Sequence, residues 1–179
     1  MIRCFSFLLL VSLFAHTAAA QSLQKLYPVS FSAVNIQDSF WSPRLKTVAD
    51  ATLKACIEYT ENKTGRIRNF ERAAAHTTGR HEGIYYDDSD VYKALEAMAY
   101  ALRTHPNPAL EKKADEWIDK IAAAQLPDGY LNTYYTLTGL NQRWTDMERH
   151  EDYCAGHLIE AAIAYHNTTG KRQLLDGAL

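Results

Sequence analysis

Apolar residues recur at helical spacing over four stretches of the chain, and each stretch carries its own start or stop signal. Leu45, Val48, Ala49, Ala55 and Tyr59 predict a first helix from about Pro43 to Tyr59, with Ser42 as its cap and Pro43 in its first turn. Val91, Leu95, Met98 and Leu102 predict a second, capped by Asp88 or Ser89 and ending before Pro106. Asn107-Pro108 opens a third, whose stripe is Leu110, Ala114, Trp117, Ile118, Ile121 and Ala124. A fourth runs from about Glu151 to Thr168 with Gly170 as its stop, and Asp176-Gly177 end a short start on a fifth.

Between the helices the pattern changes. Val29, Phe31 and Ala33 alternate with smaller polar residues, the period of a short strand or extended arm between Tyr27 and Ile36. Residues 61–86, with Gly65, Gly79 and Gly83, show little apolar periodicity and predict a long loop of the kind that carries function. Leu126-Pro-Asp-Gly-Tyr130 breaks the third helix, and a polar, aromatic loop continues to about Glu148.

The second and fourth helices are apolar over most of their circumference, whereas the third is charged on one face, from Glu111 to Lys120. Leu95-Glu-Ala-Met-Ala-Tyr100 also parallels Ile159-Glu-Ala-Ala-Ile-Ala-Tyr165 with one residue inserted, which sets Glu96 and Glu160 in equivalent places. A repeating helical hairpin accounts for both facts: the second and fourth helices form an inner layer, the third an outer one. A chance match among alanine-rich helices is the competing explanation. The expected fold is all-α, such hairpins stacked as a toroid in which each unit buries its neighbour's face, with a short extended or β arm at its N-terminus.

Composition refines this picture. Arg3, the apolar run Phe5 to Phe14 and Ala18-Ala19-Ala20 form a signal-peptide pattern over residues 1–20, so an exported protein, periplasmic or extracellular, is expected. An arm at 21–43 and a helical domain at 44–179 follow. No later segment is apolar enough to span a bilayer. Without Arg3, 18 basic residues face 21 acidic ones, a net charge of −3 that favours neither nucleic acid nor an anionic membrane. Cys56 and Cys154 remain after the signal, too few for a disulfide framework or a four-thiolate zinc site. Asn62-Lys-Thr64 and Asn167-Thr-Thr169 are glycosylation acceptors only in a glycosylating host.

Three polar clusters fall in loops or at helix starts: Asp87-Asp88-Ser89-Asp90, Asp128 to Tyr135, and Trp144 to His157. Carboxylates, imidazoles and aromatic faces together suit a polyhydroxylated ligand, with Asp90 and Asp128 as candidate contacts. Each has a plainer role: Asp88 as a helix cap, Asp128-Gly129 as a turn, Tyr134-Tyr135 as packing. His150 and His157 are seven residues apart, where a helical metal pair more often uses four, and Cys154 stands where the second histidine of a His-Glu-x-x-His motif belongs. No metal ligand is therefore assigned within the chain, and His157 is expected to be a hydrogen-bonded core histidine. Cys154, one turn from His150, is expected to be a buried, inert thiol rather than a nucleophile.

At these residues the chain resembles glycoside hydrolase family 127, the β-L-arabinofuranosidase family. The resemblance is carried by Asp38-Ser-Phe-Trp-Ser-Pro-Arg-Leu45, Gly65-Arg-Ile-Arg-Asn-Phe70, Asp88-Ser-Asp-Val-Tyr-Lys93, Leu95-Glu-Ala97, Gln125 with Asp128-Gly-Tyr-Leu-Asn-Thr-Tyr134, and His150-Glu with Tyr153 and Gly156-His-Leu158. It implies that the fold is an incomplete (α/α)6 toroid of the six-hairpin glycosidase type, and that the activity is retaining hydrolysis of non-reducing-end β-L-arabinofuranose from plant-type oligo- or polysaccharides. It also implies a zinc-held cysteine nucleophile and a glutamate acid/base, all of them beyond residue 179. Within the chain it implies mainly one site residue, His150, as a sugar contact. The isolated chain is then expected to be inactive. A non-catalytic carbohydrate-binding module, or another (α/α)6 enzyme such as an unsaturated glucuronyl hydrolase, is the alternative.

Overall fold

The computed structural model describes residues 26–76 and 80–179. The signal pattern at residues 1–20 lies outside them. The chain divides into two units, Met1–Ala33 and Val34–Leu179. Of the first, the described part holds a 3-10 turn, Phe31–Ala33. No strand forms at Tyr27 to Ile36: the described residues offer no neighbour to take the backbone groups, and Ser30 binds Ala33 N–H through its carbonyl (2.9 Å) and Ser32 N–H through its hydroxyl (3.3 Å).

The second unit is helical. Its first helical run comprises α1 (Trp41–Thr47), a π turn (Val48–Thr52), α2 (Leu53–Glu58) and a second π turn (Tyr59–Lys63). Helix α1 begins two residues before Pro43, and its end is closed by Asp38 rather than Ser42. The Asp38 carboxylate accepts the Phe40 N–H at 2.8 Å and the Trp41 N–H, while Ser42 Oγ accepts from Asp38 N–H at 3.0 Å.

Helix α3 (Arg66–Ala74) occupies part of the stretch expected to be loop. Ile67, Phe70 and Ala73 all point inward and are at most 2% exposed, a stripe that the intervening charges obscure in the sequence. Helices α4 (Asp88–Thr104), α5 (Pro108–Ala124) and α7 (Glu151–Thr169) fall where the periodicity puts them. Asn107 caps α5 by accepting from Ala109 and Leu110 N–H, and Gly170, at φ +77°, ends α7 in the left-handed region where glycine is favoured. A short α6 (Thr133–Thr138) interrupts the aromatic loop, and α8 (Gln173–Ala178) runs through Asp176 and Gly177.

The helices form two layers. Lys113–Glu61 (3.1 Å) and Lys120–Glu71 (2.8 Å) tie α5 to the second π turn and α3, and Gln173 bonds Asp119 at 2.9 Å from α8. Against that layer lie α4 and α7, side by side and parallel: Tyr86, Glu96 and Ala99 on one strand of contacts meet Cys154, His157 and Thr168 on the other, in the same order. Ala99, Ala161 and Ala162 are fully buried, and their small side chains allow the two helices to approach closely. Trp117, Tyr92, Tyr165, Phe70, Leu95 and Met98 fill the space between the layers, each large side chain contributing roughly 1.5–3 kcal/mol by burial. Ile159 and Ile163, on the outward side of α7, stay 45% and 47% exposed. Among the described residues no helix is long and apolar enough to cross a membrane.

Candidate functional site

The loops that precede α4, α6 and α7 converge on an aromatic cluster. Asp87 and Asp88 start α4, but neither caps it with its side chain. The Asp88 carboxylate reaches across and accepts the N–H (2.7 Å) and hydroxyl (2.5 Å) of Thr133, closing the N-terminus of α6. Burial pushes its pKa up to about 6 in spite of these bonds. Asp87 accepts from Ile84 N–H at 3.1 Å and pairs with Arg66 at 3.2 Å. Its carboxylate occupies the space a Cβ at position 83 would need, 2.0 Å away, and Gly83 has a φ of +91°.

The loop before α7 is held from below. Glu151 is buried, and its two carboxylate oxygens accept from Tyr130 OH and from Trp144 N–H (2.6 Å). Burial and the Glu151 carboxylate raise the pKa of Tyr130 well above the ordinary tyrosine value. Trp144 and His150 both have φ of +59°, so the segment begins and ends in a backbone conformation that bulky side chains rarely adopt. Glu151 anchors one end directly and adjoins the other, where His150 is the half-buried N-cap residue of α7.

His150 sits among Tyr86, Tyr153 and Tyr85, with ring centroids at 5.3, 5.7 and 5.8 Å. Its Nδ1 lies 2.6 Å from the Glu148 carbonyl oxygen, which can only accept, so Nδ1 carries the proton. In the neutral ring Nε2 is then an acceptor, with a lone pair for a hydroxyl donor. Tyr134 extends the cluster, 6.1 Å from Tyr85 and edge-on to His81 at 5.3 Å. The Arg149 guanidinium lies 5.0 Å from the centre of the Tyr85 ring and donates to Tyr134 OH at 3.3 Å. The arrangement combines ring faces, a cation and a fixed acceptor, groups of the kind that can hold a hydroxylated ring.

His81, which packs on Tyr134, carries no sequence signal of its place beside the cluster. Buried Asn69 of α3 bonds both the N–H and the C=O of Glu82, at 3.0 and 2.9 Å, and lies 3.0 Å from His81 Nε2. Burial lowers the pKa of His81 and favours its neutral form. Its Nδ1 is buried with no hydrogen-bond partner among the described residues.

The other sequence candidates are both engaged in ion pairs. Asp90 pairs with Arg66 at 2.9 Å, beside Asp87. Asp128 pairs with Arg143 at 2.6 Å, accepts from Tyr130 N–H at 3.2 Å, and has its pKa lowered by the Arg143 guanidinium and that bond. It lines an open hollow with Tyr130, Arg143 and Trp144. A narrower cleft of about 150 Å³ between Tyr130, Glu151, Leu158 and Ala178 adjoins it. Tyr135 packs in the interior while Tyr134 faces the cluster.

His157 is not the hydrogen-bonded core residue that its helical setting predicts. It is partly exposed, packs edge-on to Tyr153 at 4.5 Å, and has Nδ1 3.2 Å from Glu160 Oε2 but out of line for a hydrogen bond. Cys154 is buried, and burial pushes its thiol up to about 12. Cys56 is exposed, and both cysteines are free. A zinc-held thiolate does not fit either one: Cys154 has Tyr86 O as its contact at 3.6 Å, and Cys56 has no second ligand in the described clusters.

Residues 33–179 match the family model described as β-L-arabinofuranosidase, GH127 catalytic domain. The chain belongs to glycoside hydrolase family 127. It is 42% identical over 129 residues to a non-reducing end β-L-arabinofuranosidase of Bifidobacterium longum subsp. longum, a match covering 68% of this chain and 19% of the relative. The crystal structure of a GH127 β-L-arabinofuranosidase from Geobacillus stearothermophilus T6 superposes with a TM-score of 0.76 at 44% identity, over 81% of this chain and 24% of that one. A second GH127 β-arabinofuranosidase gives 0.77 at 39% identity, over 84% and 25%. The chain thus spans about a fifth to a quarter of the family members it matches. The all-helical architecture is that of its GH127 structural neighbours.

Proposed function

We propose that this chain forms the opening part of the catalytic domain of an exported, retaining β-L-arabinofuranosidase, in which His150 contacts the sugar. The observation that supports it most directly is the geometry of His150: Nδ1 is committed to the Glu148 carbonyl, and Nε2 projects an acceptor beside Tyr85, Tyr86 and Tyr153. A hydroxyl of the arabinofuranose ring donates to Nε2, and Arg149 with Tyr134 supplies further polar contacts. In this reading the exposed Ile159 and Ile163 face later helices of an (α/α)6 toroid, which would cover them.

The chemistry that the family resemblance implies, a zinc-held thiolate attacking the sugar and a glutamate protonating the departing oxygen, belongs to residues beyond 179. The residues of this chain bind and orient the ring, and by themselves give no turnover. The substrate class is an arabinose-containing plant-type oligo- or polysaccharide. Export rests on Arg3, the run Phe5 to Phe14 and the alanines 18–20. The full-length gene product, assayed with a chromogenic β-L-arabinofuranoside, should release the leaving group. Absence of turnover in folded, zinc-loaded, reduced enzyme removes the assignment.

A further inference from the structure

Tyr153 stands between two imidazoles. Its ring meets that of His150 edge-on at 5.7 Å and that of His157 edge-on at 4.5 Å. The phenol oxygen reaches across to α4, where the Lys93 ammonium donates to it, and Lys93 Nζ lies 4.6 Å from the centre of the same ring. Lys93 is half-buried, with Nζ 3.5 Å from the Oγ of Ser89, a fully buried residue one turn earlier on α4.

The direction of the bond between Lys93 and Tyr153 follows from the groups themselves. An ammonium carries three N–H donors and no acceptor, so the phenol oxygen accepts and its own hydrogen cannot be given to Lys93. Among the described residues no other group bonds Tyr153 OH. Its hydrogen is therefore a donor to spare, on a side chain that stays 42% exposed.

His150, three residues earlier at the start of the same helix, has the opposite polarity. With Nδ1 given to the Glu148 carbonyl, its Nε2 accepts. Residues three apart on a helix are neighbours, and here their rings touch. An acceptor and a donor side by side complement a sugar, because every sugar hydroxyl can both give and receive a hydrogen.

We propose that Tyr153 is a second sugar contact of the His150 site, donating its hydroxyl hydrogen to a hydroxyl oxygen of the arabinofuranose ring, and that Lys93 is a positioning residue that sets this direction. The inference rests on the glycosidase reading and adds a polarity to it: the sugar gives a hydrogen to His150 and receives one from Tyr153. Without Lys93 the phenol hydrogen turns freely and must be ordered when the sugar binds.

The test is the kinetics of the full-length gene product on a chromogenic β-L-arabinofuranoside, for Tyr153→Phe, Lys93→Met and the double variant, with melting temperatures recorded. Tyr153→Phe keeps the ring between His150 and His157 and loses only the hydroxyl, so kcat/KM should fall about 2- to 13-fold at a melting temperature close to the parent's. Lys93→Met should fall by less, because the hydroxyl remains. In the Tyr153→Phe background Lys93→Met should cause no further loss, because it acts through that hydroxyl. Unchanged kcat/KM in Tyr153→Phe or in Lys93→Met, or losses that multiply in the double variant, overturn the inference, and turnover by the parent then leaves the glycosidase reading standing. No turnover by the folded, zinc-loaded parent removes both.

Discussion

Asp88 of α4 closes the N-terminus of α6 through Thr133, accepting its backbone N–H at 2.7 Å and its hydroxyl at 2.5 Å. A buried carboxylate thus holds together two segments that both feed the aromatic cluster. Its pKa is raised from 3.8 to about 6, so the folded chain holds the proton more tightly than the unfolded one. The sign follows: this group's contribution to stability is greatest below about pH 4 and is lost as pH rises through about 6. Urea unfolding at pH 4.5 and pH 7 should show this component in the parent chain and lose it in Asp88→Asn. An identical pH difference in both would place the proton elsewhere. Asp88→Ala leaves both Thr133 donors unpaired and should lower stability by about 1–3 kcal/mol for each.

Glu151 should prove more important for the shape of the site than for its chemistry. Its two oxygens hold Tyr130 and Trp144, so Glu151→Ala leaves a buried hydroxyl and a backbone N–H without partners. A loss of about 2–4 kcal/mol in urea unfolding is expected, with Glu151→Gln milder because it keeps one acceptor. Unchanged stability in Glu151→Ala would show that the loop is held by other contacts.

Asn69 makes a parallel case on the other side of the cluster. Asn69→Ala removes three contacts to Glu82 and His81 and should cost about 2–3 kcal/mol, measured by the same unfolding midpoint. Asn69→Asp should be at least as harmful, because the amide donor becomes an acceptor facing the Glu82 carbonyl.

Much of the scaffold is legible in the sequence. The stripes of α4, α5 and α7, the Asn107-Pro108 opening and the Gly170 stop are local features, and local features survive folding unchanged. Helix α3 is not legible because Ile67, Phe70 and Ala73 make a stripe only two turns long among arginines, and its buried fourth member is a polar residue, Asn69. Of the expected strand or extended arm at Tyr27 to Ile36, the strand form is absent for a different reason: alternation describes a face, and without a partner strand among the described residues no ladder forms. At the site, the sequence points to His150 but not to what surrounds it. Tyr85, Tyr134 and Arg149 meet only because Asp88 and Glu151 tie three loops together, and those ties span 45 and 21 or fewer residues. For the same reason Asp88 reads as a local cap and turns out to cap a different helix.

The two cysteines should differ sharply in reactivity. With its thiol buried and its pKa pushed up to about 12, Cys154 should react with a disulfide reagent only after denaturation, whereas exposed Cys56 reacts in the folded chain. Cys56→Ser should abolish one rapidly labelled thiol and Cys154→Ser none. Rapid labelling of a thiol in folded Cys56→Ser would contradict the buried, inert reading.

The most direct measurement is the catalytic efficiency of the full-length gene product on a chromogenic β-L-arabinofuranoside, parent against His150→Ala, with melting temperature and zinc content recorded beside it. One or two lost hydrogen bonds to neutral hydroxyls, roughly 0.5–3 kcal/mol, predict a fall in kcat/KM of about 2- to 150-fold at unchanged melting temperature and zinc content. Unaltered kinetics in His150→Ala, or a collapse of its thermal stability in place of its efficiency, would contradict the account.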